Sequence, residues 1–375
     1  MEGNTMSTNK NDVQELSSAR RDFLKKAATV VGATSLAAGT VSSVHAAQKK
    51  SNGGKLKLGV FGLDYTFWGL WADILSPKGK NSVGNFFNME PAYVWDKDMK
   101  KARDFADKWG CEVVEKYDGM LGKVDGVVNG ELYNIPWQHK LLRPYIEAGV
   151  PSFLQRPWSS RIRDLDEMLE LAAKHSAPII ATATYEHYNE ADNFQQKLKN
   201  VGEINSVFAT CGAGDRPHFH IPYMMMKILG YNVDTISLIT SDPKGRSGGK
   251  PFYLCANYMY GESNNQSPYV LSMHVSPNDV FSFKITGRNG AEEAVMPGGT
   301  NYFYRFASQL IDIQNTIETK TNYQPFDIVR KKFECILTEY YSHYERGGAP
   351  VKVGTVPQDW QLPPWRPDWY SDSDF

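Results

Sequence analysis

Between Leu56 and Thr184 the chain alternates short apolar runs with stretches whose apolar residues recur at helical spacing, and this alternation leaves few topologies open. The runs are Leu56–Phe61, Pro91–Asp96, Val124–Asn129, Pro151–Leu154 and Pro178–Thr184, and the helical stretches between them include Lys97–Trp109, Pro136–Ala148 and Asp164–His175. Strands joined by helical crossovers lie parallel, so this half predicts a doubly wound parallel (Rossmann) sheet. From Ile204 the texture changes. Strand-like runs at Ile204–Cys211, Val233–Thr240, Pro251–Tyr260, Tyr269–Val275 and Val280–Thr286 are separated by polar and glycine turns, with one helical segment between the first two. Helices over Tyr304–Thr319 and Pro325–Tyr344 follow, then a short edge at Val351–Val353. The expected fold class is α/β, with an N-terminal parallel sheet over 55–178 and a C-terminal α+β domain over 179–354 built on a large, mostly antiparallel sheet. A Trp- and Pro-rich tail, 355–375, is expected to pack on its own subunit or on a neighbour.

The corner after the first run, Lys55–Leu75, carries the main chemical signal. A strand enters a turn at Gly62 and a helix leaves it, the arrangement that seats a pyrophosphate on free N–H groups at a helix N-terminus. The G-x-G-x-x-G pattern is incomplete, because Leu63 and Asp64 stand where it should continue. Asp64 brings negative charge toward a phosphate, yet the same side chain would stabilise the helix as an N-cap without any ligand. Both readings stand, with Gly62, Leu63 and Asp64 as the candidate cofactor-binding residues. Asp96, ending the second run, is placed to accept from ribose hydroxyls, or to cap the helix that follows.

The first 46 residues read as a segment apart from the fold. Arg20-Arg21-Asp22-Phe23-Leu24-Lys25-Lys26 precedes a weakly apolar run ending in Val44-His45-Ala46-Ala47, and this resembles a twin-arginine export signal, with Ala19 where Ser or Thr is usual. The expectation is export to a periplasm. No cysteine adjoins the cleavage context and no later run is long enough to span a bilayer. Removing this segment takes away five basic and four acidic residues and leaves a net charge of −2, which gives no reason to expect nucleic acid. The four cysteines form no C-x-x-C pair and are expected to be buried thiols.

The order of elements resembles the Gfo/Idh/MocA family of NAD(P)-dependent oxidoreductases acting mainly on sugars and polyols. The resemblance covers nearly the whole chain after the leader. Its marks are Tyr93-Val94-Trp95-Asp96, Asp125-Gly-Val-Val, the helix from His139 to Ala148-Gly149-Val150, Arg156-Pro157, Gly202-Glu203-Ile204, and His220 ten residues before Gly230 in Lys227-Ile-Leu-Gly. It implies NAD or NADP as cofactor, a sugar or sugar derivative as substrate, and a homo-oligomer associating through the open face of the large sheet.

Family members carry Glu-Lys-Pro where this chain has Gln155-Arg156-Pro157. The resemblance puts Gln155 and His139 beside the cofactor and Arg156 between cofactor and substrate. Arginine binds hydroxyls and carboxylates but stays protonated, so it cannot relay a proton as lysine can. His220 matches the family's catalytic histidine, a fitting base near neutral pH, while Arg216 occupies the position of its aspartate partner, with Asp215 one residue before. Tyr185 and His187, in the polar aromatic Tyr185-Glu186-His187-Tyr188 after the sixth strand, are candidate sugar-binding residues along with Arg156, Arg216 and His220. Asp215, His218 and His220 do not make a complete metal-ligand set at a recognised spacing, so no metal is expected.

Free NAD(P) is scarce outside the cytoplasm. An exported enzyme of this kind is therefore expected to retain its cofactor and run an internally redox-neutral cycle, as the family's glucose–fructose oxidoreductases and NAD-dependent glycosidases do. The alternative is a cofactor-free carbohydrate-binding protein on the same fold, to which Asp64, Arg156 and Arg216 point.

Overall fold

A computed structural model of the chain describes residues 54–363 except 64–66, 84–85, 131–133, 213–219, 241–253, 264–265, 277–280 and 296–301, together with 371 and 373. The twin-arginine segment, Asp64 and Arg216 lie outside these residues.

The first half contains β1 (Leu56–Phe61), α1 (Phe67–Leu75), β2 (Met89–Trp95), α2 (Met99–Trp109), β3 (Glu112–Val113), β4 (Gly126–Asn129), α3 (Gln138–Glu147), β5 (Ser152–Leu154), α4 (Ile162–His175) and β6 (Ile179–Ala181). The strands form one six-stranded sheet in the order β3-β2-β1-β4-β5-β6, parallel throughout. Burial on both faces explains why these strands read as continuous apolar runs and not as alternating ones. Phe61, Val127, Leu154 and Ile179 face α3 and α4. Val60, Val128, Phe153 and Ile180 face α1, α2 and a helix returning from the second half.

That helix is α7 (Tyr302–Thr319). β6 belongs to the parallel sheet, and α7 covers its second face with Phe306, Leu310, Ile313 and Ile317. The approach is close at Gly126, where a Cβ would lie 2.6 Å from Ile317 Cδ1, so a larger residue there would push that side chain aside.

The second half adds α5 (Asn189–Val201), β7 (Ile204–Gly212), α6 (His220–Leu229), β8 (Val233–Thr240), β9 (Leu254–Tyr260), β10 (Tyr269–Ser276), β11 (Ser282–Gly287), β12 (Gly290–Val295), then α7, α8 (Phe326–Arg346) and β13 (Val351–Lys352). Its seven-stranded sheet runs β12-β11-β7-β10-β9-β8-β13, antiparallel except for the β7–β10 pair. One face packs on helices, as where Tyr258 donates to Glu339 of α8 at 2.9 Å. The other leaves Phe208, Met259 and Ile239 between 45% and 63% exposed.

Three elements were not read from the sequence. β3 is only two residues long, β12 carries two glutamates among its six residues, and α5 buries a narrow stripe at Ala191, Phe194 and Val201. The cap of α2 also differs from one expectation: Asp98, not Asp96, is the N-cap, accepting from Lys100 N at 3.0 Å. In the tail, Leu362 is buried against the core and Trp360 packs edge-on to Tyr341 while its indole N–H donates to Glu345 at 2.8 Å.

Candidate functional site

The carboxyl ends of β1, β2, β5 and β6 share one edge of the parallel sheet, the edge where open α/β sheets place their ligands. After β1 the backbone turns at Gly62, whose φ of 67° favours glycine. The turn is pinned on three sides. Gly62 N donates to Trp95 O at 3.2 Å, Gly130 N donates to Phe61 O at 2.9 Å, and Leu63 N donates to Asp96 Oδ2 at 2.6 Å. The other oxygen of Asp96 accepts from Asp98 N at 2.7 Å, and the residue is 1% exposed. Asp96 thus stands at the strand end where a ribose-binding carboxylate belongs, with both oxygens already engaged by backbone N–H groups. A ribose hydroxyl would share them.

Next along the edge lies an amide network that sequence reasoning missed. Asn129, which ends β4, donates to Asn134 Oδ1 at 2.8 Å and to Gln138 Oε1 at 2.7 Å, and Asn134 donates back at 3.0 Å. Gln138, the first residue of α3, donates to the carbonyls of Gln155 at 3.1 Å and Trp158 at 2.8 Å and accepts from Gln155 N at 2.7 Å. These side chains are fully buried, so their satisfaction fixes the loop after β5 in one geometry. A polar Asn closing an otherwise apolar strand was the available signal.

That loop carries Gln155, Arg156 and a cis Arg156–Pro157 bond. Gln155 Oε1 accepts from Arg156 N at 3.2 Å and from its Nη1 at 2.9 Å. The other end of the guanidinium, Nη2, lies 3.0 Å from His220 Nε2 at the start of α6. Arginine can only donate, so Nε2 accepts through its lone pair and the ring proton sits on Nδ1. The His220 ring stacks on Tyr185, centroids 4.2 Å apart, and Tyr185 stacks in turn on Phe281 at 5.3 Å. Gln155, Arg156, Tyr185 and His220, distant in sequence, therefore form one cluster.

His187 turns elsewhere. Its Nε2 lies 2.8 Å from Thr182 Oγ1 and its Nδ1 lies 3.1 Å from Asp312 of α7. With both nitrogens engaged and only 6% of the residue exposed, it ties a turn to a helix and has no group left for a sugar. His139, one residue into α3, has a buried Nδ1 with no hydrogen-bond partner among the described residues, 3.8 Å from Asp164 Oδ2. Burial lowers its pKa, against the opposing pull of Asp164. Of the remaining candidates, Asp64, Asp215, Arg216 and His218 lie outside the described residues.

No family model matches the chain. A dTDP-3,4-didehydro-2,6-dideoxy-alpha-D-glucose 3-reductase from Streptomyces violaceoruber is 28% identical over 149 residues, 39% of this chain and 41% of that protein, so the match spans less than half of either. GenD2 from gentamicin A biosynthesis, solved in complex with NAD, superposes with a TM-score of 0.66 over 82% of this chain and 98% of its own, at 12% identity. The fold is that of the Gfo/Idh/MocA oxidoreductases. Scyllo-inositol dehydrogenase from Lactobacillus casei, with bound NAD(H) and scyllo-inositol, has a TM-score of 0.63 over 80% of this chain and 100% of its own, also at 12% identity. Among the described residues no helix is long and apolar enough to cross a membrane.

Proposed function

We propose that this protein is an exported oxidoreductase acting on a sugar or sugar derivative, with a tightly retained NAD or NADP and an internally redox-neutral cycle. The observation that carries the reading is the convergence of Arg156, His220 and Tyr185 beside a glycine turn on the ligand-binding edge of the parallel sheet. A dinucleotide fits the residues present. Gly62 leaves the turn without a Cβ, Asp96 supplies ribose acceptors, and the buried Nδ1 of His139 has no hydrogen-bond partner among the described residues. Gly62, Leu63, Asp64, Asp96, His139 and Gln155 would hold it, and when bound it supplies a hydride acceptor that returns the hydride within the same site.

The chain's own part is positioning and proton transfer. Arg156, fixed by Gln155, orients the substrate through charge-assisted hydrogen bonds, with Arg216 as a second cation. Tyr185 offers an aromatic face to the ring. His220 takes the hydroxyl proton on Nε2, which requires the substrate to displace Arg156 from that lone pair. The resemblance to twin-arginine signals supports export of the folded, loaded protein, and the exposed Phe208, Met259 and Ile239 support self-association through the open sheet.

The Arg156–His220 contact itself favours a second reading, a carbohydrate-binding protein without redox chemistry, in which the lone pair of His220 never leaves the guanidinium. Mixing the purified protein with a panel of hexoses and cyclitols while following absorbance at 340 nm separates the two. A transient rise with one sugar is expected of the enzyme; no change with any, alongside measurable sugar binding, selects the binder.

A further inference from the structure

We propose that Lys332 is a positioning residue that holds the three sugar-facing segments in a single arrangement. It lies in the second turn of α8 and is 0% exposed. Its ammonium donates to the carboxylate of Glu186, which neighbours Tyr185, and to Gln324 Oε1 at 3.3 Å. The same nitrogen lies 5.2 Å from the ring centre of Trp158 and 5.4 Å from that of Tyr223. Trp158 follows Arg156 by two residues, and Tyr223 lies one helical turn beyond His220. One buried charge therefore touches the loop that supplies Arg156, the helix that supplies His220 and the turn that supplies Tyr185.

The contacts around it are mutually bracing. Trp158 and Tyr223 stack with centroids 4.7 Å apart, and the Tyr223 hydroxyl donates to Pro157 O at 3.4 Å. Glu186 accepts from Ala183 N at 2.7 Å and Thr182 Oγ1 at 3.2 Å, which anchors the turn to the end of β6. A buried ammonium is held only where its charge is paired and its surroundings are polarisable, and these ring faces and this carboxylate supply both. Without it, the Glu186 carboxylate loses the cation bonded to it, while Lys227 reaches only the Glu186 backbone carbonyl, and the turn must move or take up a proton. Lys332 acts through its neighbours, so this is positioning and not catalysis.

The inference rests on Arg156, His220 and Tyr185 being the sugar-facing set. Its test compares crystal structures, melting temperature and NADH binding of the full-length wild type, E186Q, K332M and K332M/E186Q. The neutral double variant is expected to melt within about 5 °C of wild type and above K332M, because removing both charges leaves none unpaired. It should bind NADH as wild type does, yet show the 3.0 Å Arg156–His220 contact and the 4.2 Å Tyr185–His220 stack opened, as should E186Q, which leaves the Lys332 ammonium without its carboxylate. Wild-type site geometry in the double variant overturns the proposal, as does a K332M that melts like wild type or a double variant that does not fold. A wild type that binds no NADH counts against the dinucleotide reading and leaves the geometric comparison standing.

Discussion

The turn after β1 and the cluster around Arg156 share one edge of one sheet but are held by different means. At the turn, Asp96 bonds the backbone of Leu63 and Asp98, and the strands involved are neighbours in the sheet. At the cluster, side chains from the loop after β5, the turn after β6, α6 and α8 meet across more than a hundred residues of sequence, and they hold one another through side-chain contacts. The first corner is rigid because backbone holds it. The second is rigid only while every side chain keeps its partner, so it is the part in which single substitutions should change chemistry more than fold.

Four outcomes sharpen or break that contrast. His220→Ala should lower turnover of any sugar found active by about 10²–10⁴-fold, the range for a positioned general base, with the melting temperature little changed. Unchanged turnover removes His220 from the chemistry. Asp96→Ala should do the reverse: it strips the acceptor from two N–H groups, one of them on half-buried Leu63, and should cost about 2–4 kcal/mol by urea denaturation. A loss below about 0.5 kcal/mol would mean the turn does not depend on that carboxylate.

Arg156→Lys should cost about 1 kcal/mol through the lost fork to Gln155 and His220, and it should add an alkaline limb to the pH profile of turnover, because lysine titrates and arginine does not. Identical profiles would place residue 156 outside the proton path. The smallest effect belongs to His139. Burial lowers its folded pKa beneath the ordinary 6.5, so the unfolded chain binds the proton more readily. Its contribution is complete above 6.5 and is lost as pH falls toward the folded value. A His139→Gln variant should therefore show a shallower fall in stability below that pH, and an unchanged slope would contradict the assignment.

What the sequence disclosed follows the same division. Buried parallel strands, the glycine turn and Asp96 at a strand end are local signals of period, capping and turn chemistry, and they appear where they were read. Arg156 and His220 were singled out because their positions resemble a family pattern, and Tyr185 because it follows the sixth strand in a polar aromatic stretch; the fold brings the three together. Three features escaped for one physical reason, that their meaning is tertiary. Lys332 reads as one charge in an ordinary helix until its burial is seen. Asn129 and Gln138 are unremarkable polar residues until they face each other. His187 has the composition of a sugar-binding residue and the surroundings of a brace, because Asp312 arrives from a helix more than a hundred residues away.

The most direct test is to purify the protein from a host that exports it, denature it, and quantify released nicotinamide dinucleotide by mass spectrometry. Near-stoichiometric NAD or NADP is the predicted result. No dinucleotide, together with no binding of added NADH by the native protein, would contradict the account and leave a sugar binder on a redox fold.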